Sequence, residues 1–482
     1  MTNNFPHPAT MFAWLTLLVV FLSWICNVYG LAVISPDTGE EIVVQSLLAS
    51  EGIRWWLRHV VSNFVGFTPL GVVATFLLGW GIARHSGMWE AYWSRLKSNA
   101  SSPSVSVLVV ILLGMISHTI GEAGCVILLP VAATLFRVTG LSPVAGIVVA
   151  YVSMSCSDGS NFLLSSSDSQ MVAATQNSLE VAAIDDGRIG PMCNRFFMTA
   201  SALLTSMVIL CITKKKLLPA LAVSSENPLL RGEKTLSRRE RRACLFSAVA
   251  GGVYLLLVLW ATFSANGIFR HANGGLDGSP FMQGLVFLYA LGLALMGLVY
   301  GFVSGRYRRE TDVIEGLSHY MGLFTSYVVI LFFASQMHAC LEYSQMGRCV
   351  AVIGTEWLMG IQLEPWGILL LLLLMVAAFN FLVPSSIVGW GSLSLLLVPP
   401  MIAMGIAPDE VQCAYRLGES SCCGLSPMGA YLPFVLAYIR QYDKNATYTF
   451  LLRHLWRYSL CVLLLWSILF VIWYLCGWPL GF

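Results

Sequence analysis

Long apolar runs alternate along this chain with short polar interruptions, and the interruptions are unevenly placed. Stretches without a single charge extend over residues 8–36, 281–305 and 365–408. Each exceeds the roughly 20 residues that a helix needs to cross about 30 Å of hydrocarbon. The pattern predicts an all-α polytopic membrane protein of about nine transmembrane helices. The expected spans are 11–34, 67–82, a third from 143, 196–212, 245–263, 281–303, 320–340, 411–439 and 459–474. An amphipathic piece over 53–63 carries Trp55 and Trp56, which suit a membrane–water interface.

Two apolar stretches are cut in the middle. Residues 105–137 are interrupted by Ser117-His118-Thr119-Ile120-Gly121-Glu122-Ala123-Gly124, and 367–407 by the polar cluster from Pro384 to Ser392. The halves of the first are too short to span, so both read as re-entrant hairpins with polar tips. The third span dissolves into residues 153–168, where seven serines join Asp158, Gly159, Asn161 and Asp168. The eighth is expected to break at Leu417-Gly418-Glu419-Ser420-Ser421 and again near Pro427. Backbone that leaves the helix inside a bilayer strands N–H and C=O groups, and such a break survives only against protein or a watery cavity.

The order span, hairpin, broken span, span occurs twice, over about 64–213 and about 320–476, starting from opposite sides of the membrane. That is the inverted-repeat architecture with discontinuous helices of secondary transporters. The whole chain, 1–482, is expected to form one membrane domain around it.

Composition agrees: 57% of the 482 residues are hydrophobic and only 11% charged, with mean hydropathy +0.74, where soluble domains carry about 25% charge. The net charge of +2 says little, but its placement says more. Residues 214–242 hold nine Lys/Arg (Lys214, Lys215, Lys216, Arg231, Lys234, Arg238, Arg239, Arg241 and Arg242) against three Glu. This basic connector marks the cytoplasmic side, with the amino terminus on the same side. Positive-inside bias accounts for the cluster, so nucleic acid is not expected as a partner. Most of the 13 cysteines lie in apolar runs and read as small hydrophobes. Cys340 and Cys349 fall in an expected outside loop and are the candidate pair for a disulfide. No Cys/His metal spacing, Walker A, HExxH or GxSxG motif occurs, so neither a metal site nor a cofactor is expected. An ion gradient, H+ or Na+, is the expected energy source.

The candidate chemistry sits at the interruptions. Arg416 in a span calls for a partner or a ligand, and Glu419, three residues on, would supply a structural ion pair. Asp168 and Glu419 hold matching places in the two repeats and are candidate cation ligands or proton carriers, as is Glu122 at the first hairpin tip. His118 beside it reads as a packing histidine. Asn161, Ser385 and Ser386 offer amide and hydroxyl groups to a solute, although serines also cap broken helices. Trp390, between two glycines, offers a ring for stacking, and Pro408 shapes the entry to the eighth span.

These segments together resemble the p-aminobenzoyl-glutamate transporter (AbgT) family over nearly the whole chain. The carrying stretches are Glu51-Gly52-Ile53 through Phe67, Ser117-His118 with Glu122, Asn161 through Asp168, Ser385 through Trp390, and Tyr415-Arg416 through Ser421. The resemblance implies homodimers of nine-span protomers with two hairpins in the bacterial inner membrane. It also implies uptake of p-aminobenzoyl-glutamate with an ion gradient, or export of sulfonamides as in some members. Family residues carry over onto Asp168, Ser385, Trp390, Pro408 and Arg416. Glu419 and Glu122 stand where aspartate is familiar, and one methylene moves a carboxylate by roughly 1.5 Å. The Pro384-Ser385-Ser386 tip departs from a Ser-Gly-Ser type. An intramembrane hydrolase is the rival from another class, and it gives the inverted repeat no purpose.

Overall fold

The structure, a computed structural model, describes residues 7–34, 39, 41–97, 103–117, 119, 124–184, 189–221, 236–264, 267–270, 279–382 and 386–482. Helix α1 (Pro8–Val28) opens on proline, whose missing N–H would be unsatisfied there anyway. It stops short of the expected residue 34, because Gly30 turns the chain at φ +63°. A small antiparallel pair follows, β1 (Ala32–Ile34) and β2 (Glu41–Val43), with Val33 opposite Ile42. The amphipathic helix α2 (Ser50–Val65) exposes Arg54 and Arg58 and leads into α3 (Thr68–His85). A short α4 (Met88–Lys97), which the hydropathy pattern does not mark, comes next.

The first hairpin has arms α5 (Pro103–Ser117) and α6 (Gly124–Val138). The third span is two helices, α7 (Pro143–Ser155) and α8 (Ser166–Val181), joined by residues 156–165. Helix α9 (Arg195–Ile212) continues through a π-helical turn (Thr213–Leu217) into α10 (Leu218–Ala220). Lys214, Lys215 and Lys216 therefore lie on helix. Arg238 to Arg242 open α11 (Arg238–Phe263), capped reciprocally by Ser237 and Glu240. The connector expected over 214–242 shrinks to the stretch between these two helices, much of it outside the described residues.

In the second half come α12 (Pro280–Ser304) and α13 (Glu310–Ser344), the latter longer than the span expected over 320–340. At Gln345, φ +56°, the chain bends into α14 (Met346–Met359). The second hairpin is α15 (Pro365–Leu382) and α16 (Ser386–Ala403); the eighth span is α17 (Pro408–Cys423) and α18 (Leu432–Ile439); α19 (Tyr448–Leu475) is last. Among the described residues six helices are long and apolar enough to cross a membrane by length and composition, and the shorter apolar helices belong to the hairpins and the broken third span.

The break expected at 417–421 is absent. Helix α17 runs on to Cys423, and the chain opens only over 424–431, around Pro427. Gly418 is a packing residue, since a Cβ there would strike the Leu373 carbonyl oxygen of α15. Asn380 Nδ2 of α15 donates to the Glu419 carbonyl at 2.7 Å. The polarity of this stretch reflects what surrounds the helix, which keeps its own hydrogen bonds.

Each broken helix packs against its own hairpin, α7 against α5 and α6, and α17 against α15 and α16. The trailing halves cross between repeats. Helix α8 lies along α16, while α18 packs mainly on α13 and touches both α6 and α7, so each repeat reaches into the other. Peripheral helices show apolar side chains outward, for example Leu255, Leu256 and Trp260 on α11 and Leu460, Leu464 and Ile468 on α19. In the middle, α7 is buried from Val144 to Met154 and the half-polar α17 from Val411 to Ser421. Greasy outside and polar within is the arrangement a bilayer requires of a helix carrying charge. The chain is an integral membrane protein of inverted-repeat, discontinuous-helix architecture. All 13 cysteines are free. Cys340 and Cys349 therefore form no disulfide, and both are buried on α13 and α14 rather than set in an outside loop.

Candidate functional site

The serine-rich stretch first repairs its own broken backbone. Hydroxyls of Ser153, Ser155 and Ser160 donate to the carbonyls of Val149, Tyr151 and Cys156 at 2.7–2.8 Å, and Ser157 donates to Met154. From α9, Ser201 donates to the Gly159 carbonyl at 2.7 Å. At the far side Ser165 caps α8, and Asp168 completes the box: its Oδ2 accepts from the Ser165 N–H at 2.7 Å and from the Ser165 hydroxyl at 3.0 Å. Ser165 is thus a helix cap, and the other hydroxyls named turn back onto backbone carbonyls.

Into this break reaches Arg416 from α17. Its Nη2 pairs with Asp168 Oδ1 and lies 3.7 Å from Asp158 Oδ1, while Nε donates to the Asp158 carbonyl at 3.2 Å. Asp158 Oδ1 also accepts from Ser167 at 2.9 Å. The arginine is 2% exposed, Asp168 4% and Asp158 9%. Charges so buried persist only when paired and hydrogen-bonded. The ion pair expected with Glu419 is replaced by this one, because the opened chain brings two carboxylates from the other repeat to the guanidinium.

Beside the pair lies a narrow cleft with room for about one water molecule, lined by Asn161, Leu164, Asp168, Val172, Pro191, Cys193, Asn194, Arg195, Met198, Gln412 and Arg416. Arg195 Nη1 donates to Asn161 Oδ1 at 3.0 Å. Asn194 Nδ2 donates to the Asp409 carbonyl at 3.0 Å, tying the start of α9 to that of α17. Gln412, one turn before Arg416, has its Oε1 2.6 Å from the Thr175 hydroxyl. The Trp390 indole Nε1 in turn donates to Thr175 Oγ1 at 3.0 Å.

The structure thus brings Asn161, Asp168 and Arg416 together. Among the described residues it sets Trp390, Pro408 and Glu419 apart from them. Trp390 stands one turn inside α16 rather than at a tip, fully buried, with its ring 4.7 Å from that of Tyr415. Pro408 is the buried first residue of α17. Glu419 is buried on α17 but follows no break, whereas Asp168 opens the helix after one, so the two do not occupy matching places. Ser386 begins α16. Ser385, Glu122 and His118 lie outside the described residues. Among the described residues no cluster of His, Cys, Asp and Glu is placed to hold a metal.

Sequence reasoning placed Asp158 in the polar break without giving it a role, and passed over Arg195, Asn194 and Gln412. A signal for Gln412 was its i, i+4 spacing to Arg416 on one helix face. Arg195 stood at the edge of an apolar run, where an arginine reads as an ordinary flank.

The sequence model described as "AbgT putative transporter family" matches residues 1–482. The p-aminobenzoyl-glutamate transport protein of Escherichia coli (strain K12) is 28% identical over 489 residues, 99% of this chain and 94% of that protein. The crystal structure of the Alcanivorax borkumensis YdaH transporter, described as having an unusual topology, matches with TM-score 0.54 and 32% identity over 99% of this chain and 100% of its own. The Neisseria gonorrhoeae MtrF structure, described as illuminating a class of antimetabolite efflux pumps, matches with TM-score 0.52 and 30% identity over 98% and 96%.

Proposed function

The chain belongs to the AbgT family of transporters, and from that premise we propose that it is a secondary active transporter of p-aminobenzoyl-glutamate or a related folate catabolite. An H+ or Na+ gradient drives it by alternating access. One observation carries the reading: a buried arginine of one repeat is held by two carboxylates at the helix break of the other, beside a polar cleft. Such a contact is easily given two states. With Asp168 free of its cation it holds Arg416. With a cation on Asp168, the guanidinium is released toward a carboxylate in the cleft. Solute and cation then enter together because each supplies the charge that the other displaces.

In this reading Asn161 and Arg416 bind the solute's acid groups, and Asp168 carries the coupling ion with Glu419 and Glu122 as further acids. Ser385 and Ser386 serve the solute path at the second hairpin tip. Trp390 stacks on the aromatic ring in the conformation that parts it from Tyr415, and Pro408 fixes where α17 begins. The protein is a homodimer in the bacterial inner membrane with its amino terminus in the cytoplasm, as the bases at Lys214 to Lys216 and Arg238 to Arg242 favour.

A second reading, proton-driven export of sulfonamide-type antimetabolites, is favoured by the 30% identity to MtrF. Flux into right-side-out and into everted vesicles separates the two, because the first orientation reads uptake and the second export. Gradient-dependent movement of labelled p-aminobenzoyl-glutamate without labelled sulfonamide supports the first. The opposite result supports export, and movement of neither sinks both.

A further inference from the structure

We propose that Arg195 and Asn161 form a second carboxylate subsite in the cleft, distinct from Arg416, which takes a carboxylate of an amide-linked dicarboxylate solute. The inference deepens the transport reading above and rests on it. Two buried or half-buried arginines line the cleft, and they differ in what they touch. The charge of Arg416 is committed to Asp168 and Asp158. Arg195 touches only a neutral amide oxygen, Asn161 Oδ1, and among the described residues it has no carboxylate at ion-pair distance. A guanidinium has five N–H donors, and one of them is used here.

Asn161 points the same way. It is 2% exposed and lines the cleft, and its Nδ2 is buried without a hydrogen-bond partner among the described residues. Because Arg195 donates to the Oδ1, the amide group is left with its donor end unspent. A buried donor without an acceptor is costly, and one beside an underused guanidinium makes a two-sided donor set. The matching ligand group is an anion with two acceptor oxygens in a plane.

The backbone of α9 is not the acceptor's partner. Its first free N–H groups, at Phe196 and Phe197, are taken by the Leu480 carbonyl at 2.8 and 3.1 Å. The side chains alone remain to receive an anion. The carboxyl-terminal tail that provides this cap also packs Gly481 tightly against Met192 and Cys193, fixing the start of the helix from which Arg195 projects.

The test is binding to purified full-length protein in detergent, by calorimetry, of p-aminobenzoyl-glutamate and of its dimethyl ester. The wild type is expected to prefer the acid. Arg195→Gln should reduce the acid/ester affinity ratio by about 10- to 100-fold, the range of one lost charge-assisted contact. Its ester affinity should stay within about twofold, which also reports an intact fold. Arg195→Lys should restore part of the ratio, and Asn161→Ala should lower it several-fold. An unchanged ratio in Arg195→Gln overturns the subsite while leaving the transport reading in place. A wild type that binds neither compound, or shows no preference for the acid, removes the proposed substrate class and the subsite with it.

Discussion

Replacing Arg416 by Gln leaves Asp158 and Asp168 facing one another in a site where each is less than one-tenth exposed. Breaking a buried pair by removing one partner costs about 3–5 kcal/mol, because the remaining charge is left unpaired. The adjoining cleft admits water to Asp168 and Arg416, so the lower end, about 3 kcal/mol, is expected. Asp168→Asn should cost less, about 1–3 kcal/mol. Arg416 then keeps the Asp158 carbonyl at 3.2 Å and Oδ1 at 3.7 Å, and the Asn oxygen still accepts from the Ser165 N–H. In the double variant one acid remains, with its Ser167 bond intact. The double variant should therefore unfold at a higher temperature than Arg416→Gln alone, with a coupling of about 2 kcal/mol, well beyond the roughly 0.5 kcal/mol scatter of independent sites. Intrinsic fluorescence followed during heating in detergent, at one scan rate for all four proteins, gives the order of stabilities. Additive losses would refute the view that these charges act as one unit across the two repeats.

Three further outcomes follow from close contacts. Gly418→Ala places a methyl group against the Leu373 carbonyl of α15 and should destabilise the protein by about 1–3 kcal/mol; an unchanged unfolding midpoint would show that α15 and α17 give way freely. Gly481→Val pushes the tail from Met192 and Cys193, loses the two N–H bonds that cap α9, and should cost about 2 kcal/mol together with weaker solute binding. Normal stability and binding would leave the tail without a part in placing Arg195. Trp390→Phe drops the indole donor to Thr175 and should cost about 1 kcal/mol of stability with little change in affinity, while Trp390→Ala should weaken binding of the aromatic solute by about tenfold. Equal affinity in Trp390→Ala and wild type would take the tryptophan out of the solute path.

The spans were legible in the sequence because a bilayer imposes length and apolarity directly on the chain. So was the first break, where seven serines and two acids crowd into residues 153–168 beyond what a helix in lipid tolerates. The second was misplaced for a physical reason. Gly418 to Ser421 are polar as a helix end would be, yet they sit on a helix buried among other helices, where intrahelical bonds satisfy the backbone and side chains answer to neighbours. Trp390 between glycines read as a loop tip, but Gly389 admits the Tyr415 hydroxyl and the indole packs on that ring. Arg416 was legible as a charge needing a partner, whereas the identity of the partner was not. Asp168 lies 248 residues away in sequence, and only the fold brings it near. Arg195 and the Leu480 cap were invisible for the same reason.

The most direct test of the central claim, that a charge switch between Arg416 of one repeat and the helix break of the other couples ion to solute, is uptake of labelled p-aminobenzoyl-glutamate into proteoliposomes by wild type and Asp168→Asn under an imposed H+ or Na+ gradient. The account predicts accumulation by the wild type that follows one of the gradients, and none by Asp168→Asn. Full gradient-driven accumulation by the variant would contradict it.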